Sequence, residues 1–173
     1  MVVVSPTIAG RREWFALRTM PRHEFRVFER LQQCSVVSFL PQYKAIRSWK
    51  KRPPLLLTLP LFPTYLFVYA ETNELRGLQR IPGSLGLVGS STGPWPLESF
   101  QVEALRRGLH LRNPEPYLDS LIGLPVVIVR GPLMGLRGVL LSRGNQRRVV
   151  LKVYSVQGAI AVEANDDEIE AAP

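Results

Sequence analysis

The chain has 173 residues, 46% of them hydrophobic, and carries 22 Lys and Arg against 14 Asp and Glu, a net charge of +8. That is enough apolar material for one domain or two small ones with a buried core, while no apolar run approaches the roughly 20 residues that cross a bilayer. Cys34 is the only cysteine and His23 and His110 are the only histidines, which excludes an intrachain disulfide and a zinc set built on Cys and His spacing.

The opening MVVVSPTIAGRREW lacks the basic start, long apolar stretch and small-residue cleavage site of a secretory signal, so a cytoplasmic protein is expected. The whole basic excess lies in residues 1–107, where 15 Lys and Arg face 7 Asp and Glu. Such a surface attracts nucleic acid or an acidic partner through a field that salt screens. A basic surface with no dedicated ligand has the same composition.

In chain order, Trp14 to Arg18 (WFALR) reads as a short strand, ended by Thr19 and Met20 before Pro21. Pro21 suits the first turn of a helix, where its missing N–H costs nothing. From Arg22 to Gln33, Phe25, Phe28 and Leu31 recur every three residues and Cys34 completes the series, the spacing of one buried helical stripe. Arg22, Arg26 and Arg30 recur every four and form a basic stripe beside it. Val36 to Trp49 is strand-like with a proline interruption, KKRPP breaks it, and Leu55 to Pro60 is extended again. This predicts a hairpin with a basic tip at Lys50, Lys51 and Arg52.

Residues 59–70 read LPLFPTYLFVYA. Two prolines fence off Phe62, and then Thr64, Leu66 and Val68 alternate with Tyr65, Phe67 and Tyr69, a strand pattern. Both faces are apolar, so the strand either buries both or holds its aromatic face out for a partner. The second reading puts Thr64, Leu66 and Val68 in the core. Asn73 to Arg80 predicts a short helix weakened by Gly77, and IPGSLGLVGSSTGPWP a glycine- and proline-rich stretch with a short strand near Leu87. Ser99 is placed as the N-cap of a helix to about Arg107, with Val102 and Leu105 inward and Gly108 as its stop.

The texture then changes. RNPEPYLDS, residues 112–120, is polar with two prolines and suits a linker. Beyond it PVVIVR, RGVLLS, RRVVLKVYS and AIAVEA are strand formers separated by turns at about ten-residue spacing, which predicts a small β-barrel. The β-branched runs VVIV and VVLKV favour strands over helices. Glu163, Asp166, Asp167, Glu168 and Glu170 form an acidic tail without calcium-loop spacing, read as a solvated edge. The expected fold class is α+β, with an N-terminal domain over residues 12–108, a linker over 109–121 and a barrel over 122–171. Ser, His and Asp form no recognisable catalytic group, and neither a phosphate-cradling glycine loop nor a His pair at metal spacing occurs. A binding protein is expected rather than an enzyme, with no cofactor and no metal.

The sharpest local signal is VRGPLMGLRGVLLS, residues 129–142. Gly131 and Pro132 open a tight turn, Gly135 relieves the backbone at its far end, and Gly138 begins the next strand. Glycines so spaced between valine-rich strands resemble the KOW motif, found in transcription factors of the NusG/Spt5 type and in several ribosomal proteins. WFALRTMPRHE resembles the opening strand and helix start of the NusG N-terminal domain. PLFPTYLFVYA resembles that domain's signature, Phe-Pro-Gly-Tyr or Phe-Pro-Asn-Tyr before an apolar strand. RIPGSLGLVG resembles its Pro-Gly-Val-x-x-Phe-Val-Gly segment, and PLESFQVEAL its closing helix. Over about residues 12–171 the chain is thus similar to the NusG/RfaH (Spt5-type) family of transcription elongation factors. The alternative is a KOW-type RNA-binding or ribosome-associated protein that uses the barrel and the basic region directly on RNA.

The resemblance implies a NusG-like N-terminal domain, an antiparallel sheet with flanking helices, followed by an SH3-like KOW barrel. It implies a monomer without membrane attachment, whose N-terminal domain grips the clamp helices of the largest subunit of RNA polymerase, suppresses pausing, and acts in antitermination or termination. By position Phe62, Tyr65, Phe67 and, near the strand end, Tyr69 fall on that gripping surface. Aromatics on a rigid strand bury much area at small entropic cost, which suits anchors. The resemblance places Arg22, Arg26 and Arg30 near the non-template DNA strand of the transcription bubble, with Lys50, Lys51 and Arg52 acting likewise through phosphate attraction. For the barrel it implies that apolar residues, here Leu133, Met134 and Val156, meet Rho or a small-subunit ribosomal protein. The loop that usually reads Ser-Ile-Phe-Gly is here Ser155-Val156-Gln157-Gly158, and the loss of its aromatic points to a specialised paralogue.

Overall fold

The structure, a computed structural model, describes residues 10–49, 52–117, 123–143, 146–153 and 158–172. The N-terminal part runs β1 (Glu13–Thr19), α1 (Glu24–Gln33), β2 (Val37–Phe39), β3 (Gln42–Trp49), β4 (Arg52–Pro60), β5 (Tyr65–Ala70), α2 (Leu75–Gln79), β6 (Ser84–Leu87), β7 (Gly89–Ser90), β8 (Gly93–Pro94), β9 (Pro96–Leu97) and α3 (Ser99–Gly108). A 3-10 turn at Leu109–Leu111 leads to β10 (Glu115–Tyr117), β11 (Leu124–Ile128), β12 (Arg137–Arg143), β13 (Gln146–Val153), β14 (Gly158–Glu163), a second 3-10 turn at Asp166–Glu168, and β15 (Ile169–Ala171).

The first sheet has the order β2-β5-β1-β6, with β9 also on β1. Its axis is β1, which pairs antiparallel with β5 from Glu13 opposite Ala70 to Arg18 opposite Tyr65. Period-two alternation in EWFALRT sends Phe15 and Leu17 to one side and Trp14 and Ala16 to the other, and all four are buried. The Phe15 side packs with Leu66 and Val68 under α1 and α2, through Val27, Leu31, Leu75 and Leu78. The Trp14 side packs with Phe62 and Phe67 against Val102 and Leu105 of α3 and against Val126, Leu133 and Leu136 of the C-terminal part. One core thus runs through both halves of the chain.

The C-terminal strands form an antiparallel sheet ordered β10-β14-β13-β12-β11-β15. Among the described residues its two edges do not pair, so the pairings trace an open six-stranded path rather than a closed ring. The expected turn is present, with Gly131 at φ 85° and Gly135 at φ 90°, backbone that glycine adopts without a Cβ penalty.

Several expectations are corrected. Pro21 opens a turn, not a helix: His23 N–H donates to the Met20 carbonyl at 3.1 Å, and Arg22 takes φ 65°, as the third residue of a proline-led turn does. The helix begins at Glu24 and buries Glu24, Val27 and Leu31. Phe25 and Phe28 lie at the edge of that core, and Cys34 is exposed, because the i, i+3, i+7 row faces the sheet and the bulkier rings flank it. The N-cap of α3 is Glu98 rather than Ser99, with no side-chain cap bond. The expected linker is ordered over residues 109–117, where β10 pairs with β14 from Glu115 opposite Ala161 to Tyr117 opposite Ala159; residues 118–121 lie outside the described residues. The acidic tail is a solvated edge only in part: Asp167 and Glu170 are exposed. Glu168 is buried and ion-paired with Arg112, and Ile169–Ala171 pairs with β11. No helix among the described residues is long and apolar enough to cross a membrane.

Candidate functional site

The aromatic face is assembled from β1, β2, β5 and the turn that precedes β5. The Phe62–Tyr65 turn sets it up: Tyr65 N–H donates to the Phe62 carbonyl at 3.1 Å, and Thr19 N–H donates to the Thr64 carbonyl at 2.8 Å. Thr64 stands at φ 67°, and its N–H donates to the buried Glu24 carboxylate at 2.8 Å. A helix residue thereby satisfies a backbone donor that no strand reaches. Beyond the turn, Phe62 meets Phe67 edge-on with centroids 6.0 Å apart, Phe39 of β2 stacks on Phe67 at 6.0 Å, and Trp14 lies 5.3 Å from Tyr69. These are favourable offset or edge geometries.

Tyr65, Phe67 and Tyr69 share one face of β5 by parity, Phe62 of the preceding turn is brought onto the same face, and Trp14 and Phe39 join them. Sequence reading missed those two, although the parity of Trp14 with Ala16 on the neighbouring strand was the available signal. The face is covered. Phe62 is 2% exposed and Phe67 0%, while Tyr65 and Tyr69 are half-buried. The cover is α3 and the turn between β11 and β12. Leu133 of that turn is buried and Met134 is 62% exposed. The turn sits so close to the helix that a Cβ on Gly108 would lie 2.7 Å from Pro132 Cβ and 2.8 Å from its carbonyl oxygen. A cleft of about 270 Å³ remains beside Phe67, lined among others by Leu97, Phe100, Leu105, Leu136 and Leu151. Phe100, 53% exposed, is part of that lining.

An ion pair ties the chain leaving α3 to the C-terminal sheet. The Arg112 guanidinium donates to the Glu168 carboxylate, and the Arg112 carbonyl accepts from Glu163 N–H at 3.0 Å. Burial by itself raises the Glu168 carboxyl, but the Asn165 N–H and the Arg112 charge outweigh it and hold the group below the usual carboxylate value. Arg148 adds a 2.6 Å pair to Glu115 on β10.

The basic residues are dispersed. Arg22 lies in the turn before α1 and Arg26 on its exposed face, while the Arg30 guanidinium donates to the Pro82 carbonyl. The three do not form one free stripe. Lys50, Lys51 and Val156, and the side chain of Arg52, lie outside the described residues. Gly138 packs its backbone on β13, where a Cβ would come 2.5 Å from the Val150 carbonyl oxygen. No group of three or more metal-ligating side chains occurs among the described residues.

Residues 12–106 match the family described as Transcription termination factor nusG. Among solved structures, one of domain interaction in Thermotoga maritima NusG superposes with a TM-score of 0.60 at 20% identity, covering 94% of this chain and 98% of that one. An MjSpt4:Spt5 complex gives a TM-score of 0.30 at 19% identity over 91% of this chain and 95% of that one, too low to inform the fold. No curated relative matches the chain. The family match spans more than half of the sequence, includes β1, the Phe62–Tyr65 turn, β5 and most of α3, and is joined by a shared fold: this chain belongs to the NusG family of transcription elongation factors.

Proposed function

We propose that the protein binds elongating RNA polymerase through the aromatic face of its N-terminal sheet, gripping the clamp helices of the largest subunit and suppressing pausing. The C-terminal unit, read as a KOW barrel, recruits a second factor. The observation that carries this reading is the gathering of Phe62, Tyr65, Phe67 and Tyr69 onto one face, inside the segment that matches the family. Helix-binding grooves are apolar and aromatic, and this face has that character. Rho or a small-subunit ribosomal protein is the class of second partner the resemblance implies, and Met134 is the exposed apolar residue on the described part of the barrel turn. The non-template strand is the implied partner of the N-terminal arginines. The activity is one of binding, without chemistry.

In this arrangement the gripping face is occupied by Leu133 and Leu136. Docking therefore displaces the C-terminal unit from it, and the affinity for polymerase is reduced by the fraction of molecules that are closed. Binding to isolated clamp helices tests the reading. Wild type should bind, Tyr65→Ala with Tyr69→Ala should weaken binding by at least tenfold, and Gly108→Val, which wedges α3 from Pro132, should strengthen it. Failure of wild type and of Gly108→Val to bind, or unchanged binding by the double tyrosine variant, overturns the assignment.

A further inference from the structure

The cleft beside Phe67 lies between the two halves of the chain. Its floor is apolar, made by Phe67 of β5 and Leu105 of α3 on one side and by Leu136 and Leu151 of the C-terminal unit on the other, all four of them buried. Water in such a recess finds few hydrogen-bond partners, so an apolar group is favoured over water there. The lip is aromatic. Phe100 of α3 is exposed and its ring reaches over the β11–β12 turn, where a Cβ on Gly135 would stand 3.7 Å from it. A flat ring entering the cleft meets Phe100 at the lip and Phe67 at the floor, partners for offset or edge-on contact.

The rim carries charge of both signs. Arg137 of β12 and Glu98, the N-cap of α3, both line the cleft and both are exposed. Arg137 has no side-chain partner among the described residues, and Glu98 accepts from a neutral group, the Gln101 amide at 3.0 Å. Neither charge is matched by an ion pair. At about 270 Å³ the space falls just under the range of drug-sized ligands, and a helix, about 10 Å across, does not fit it. An apolar acid would answer Arg137 and face Glu98, and an apolar amine would do the reverse. A zwitterion bearing an apolar ring answers both.

We infer that this cleft is a binding site for a free aromatic α-amino acid, with the ring on the apolar floor, the carboxylate on Arg137 and the ammonium on Glu98. Because both halves of the chain build the floor, the site is complete only while the C-terminal unit covers β5. The amino acid therefore binds closed molecules, and by linkage it weakens the binding of a partner that displaces the cover. That consequence rests on the reading of the covered face as the polymerase-gripping surface; the binding site itself does not.

Calorimetric titration of the full chain with L-phenylalanine, 3-phenylpropionate and phenethylamine tests the site. L-Phenylalanine should bind roughly tenfold more tightly than either of the others, each of which lacks one charge. Arg137→Gln should weaken L-phenylalanine and 3-phenylpropionate several-fold and leave phenethylamine unchanged, and Glu98→Gln should weaken L-phenylalanine and phenethylamine and leave 3-phenylpropionate unchanged. Both positions are exposed, so neither variant threatens the fold. Absence of L-phenylalanine binding, equal binding of the three compounds, or variants that shift all three alike overturns the assignment. In the clamp-helix assay, L-phenylalanine at about ten times its dissociation constant should weaken binding by about tenfold where closed molecules predominate. Clamp-helix binding that is unmoved by a bound amino acid overturns the link to closure. Amino-acid binding by a wild type that never binds clamp helices overturns the polymerase reading instead, so the two failures are distinct.

Discussion

Strands β4 and β5 look alike in sequence and meet opposite fates. RPPLLLTLP and YLFVYA are both apolar on both faces. Yet Leu55 and Leu56 stand more than half exposed while Leu66, Phe67 and Val68 are at 0%. The difference lies in what each strand can pair with. β5 sits between β1 and β2, with helices on one side and α3 plus the C-terminal sheet on the other. Among the described residues β4 pairs with β3 alone, and Leu55 and Leu56 are left uncovered. Apolar content offers a strand for burial, and the supply of covering layers decides whether it is buried.

Substitution at the two strands is the strongest way to break that comparison. Phe67→Ala should cost about 3–5 kcal/mol, the usual range for an emptied core aromatic, whereas Leu56→Ala, at an exposed site, should stay within about 0.5 kcal/mol. Denaturant midpoints measure both, and similar losses would mean that the hairpin is covered in solution. Next in size is Glu24→Ala. It leaves the Thr64 N–H without its 2.8 Å acceptor, and should cost about 2 kcal/mol for an unpaired donor and a lost charge-assisted bond. Its counterpart on the hairpin, Thr58→Ala, should cost almost nothing.

The extent to which these features were legible in the sequence follows from the range of the forces involved. Local periodicity placed β1, the β3–β4 hairpin, α3 with Val102 and Leu105 inward, and the glycines of the turn at 131–135. It also gathered Tyr65, Phe67 and Tyr69 on one face, while Phe62, outside the strand, was placed there by the resemblance alone. It could not place the cover, because Leu133 and Leu136 stand some 70 positions away and reach Phe67 only through the tertiary fold. Glu24 was invisible for a related reason: a buried carboxylate in a helix breaks the apolar pattern, and its partner is a backbone N–H 40 residues on. Glu168 looked like part of a solvated acidic run because the charge that pairs with it, Arg112, lies 56 residues earlier.

Thr64 offers a change of opposite sign. Its φ of 67° is costly for a β-branched residue, at the position where the signature it resembles carries Gly or Asn. Thr64→Gly should therefore stabilise the protein by about 1 kcal/mol. A drop in the denaturation midpoint would mean that the Thr64 side chain contributes packing that outweighs the strain. No such gain is available on the hairpin, where none of the described residues has a positive φ.

The smallest effect concerns the cover itself and its dependence on pH. Glu168 is held below the ordinary glutamate value of 4.5 by Asn165 N–H and Arg112, against the opposing pull of burial. Because the folded value is the lower one, the pair's contribution is complete above the unfolded value and is lost as pH falls through that value towards the folded one. Acidification below about pH 4.5 should therefore weaken the C-terminal unit more in wild type than in Glu168→Gln, whose side chain does not titrate. Fluorescence of Trp14, buried beside Tyr69 under that unit, reports whether the cover over β5 loosens with it. Coincident acid transitions in wild type and Glu168→Gln would show that the ion pair does not hold the cover, and would leave the apolar contacts of Leu133 and Leu136 as the restraint that separates a buried β5 from an exposed β4.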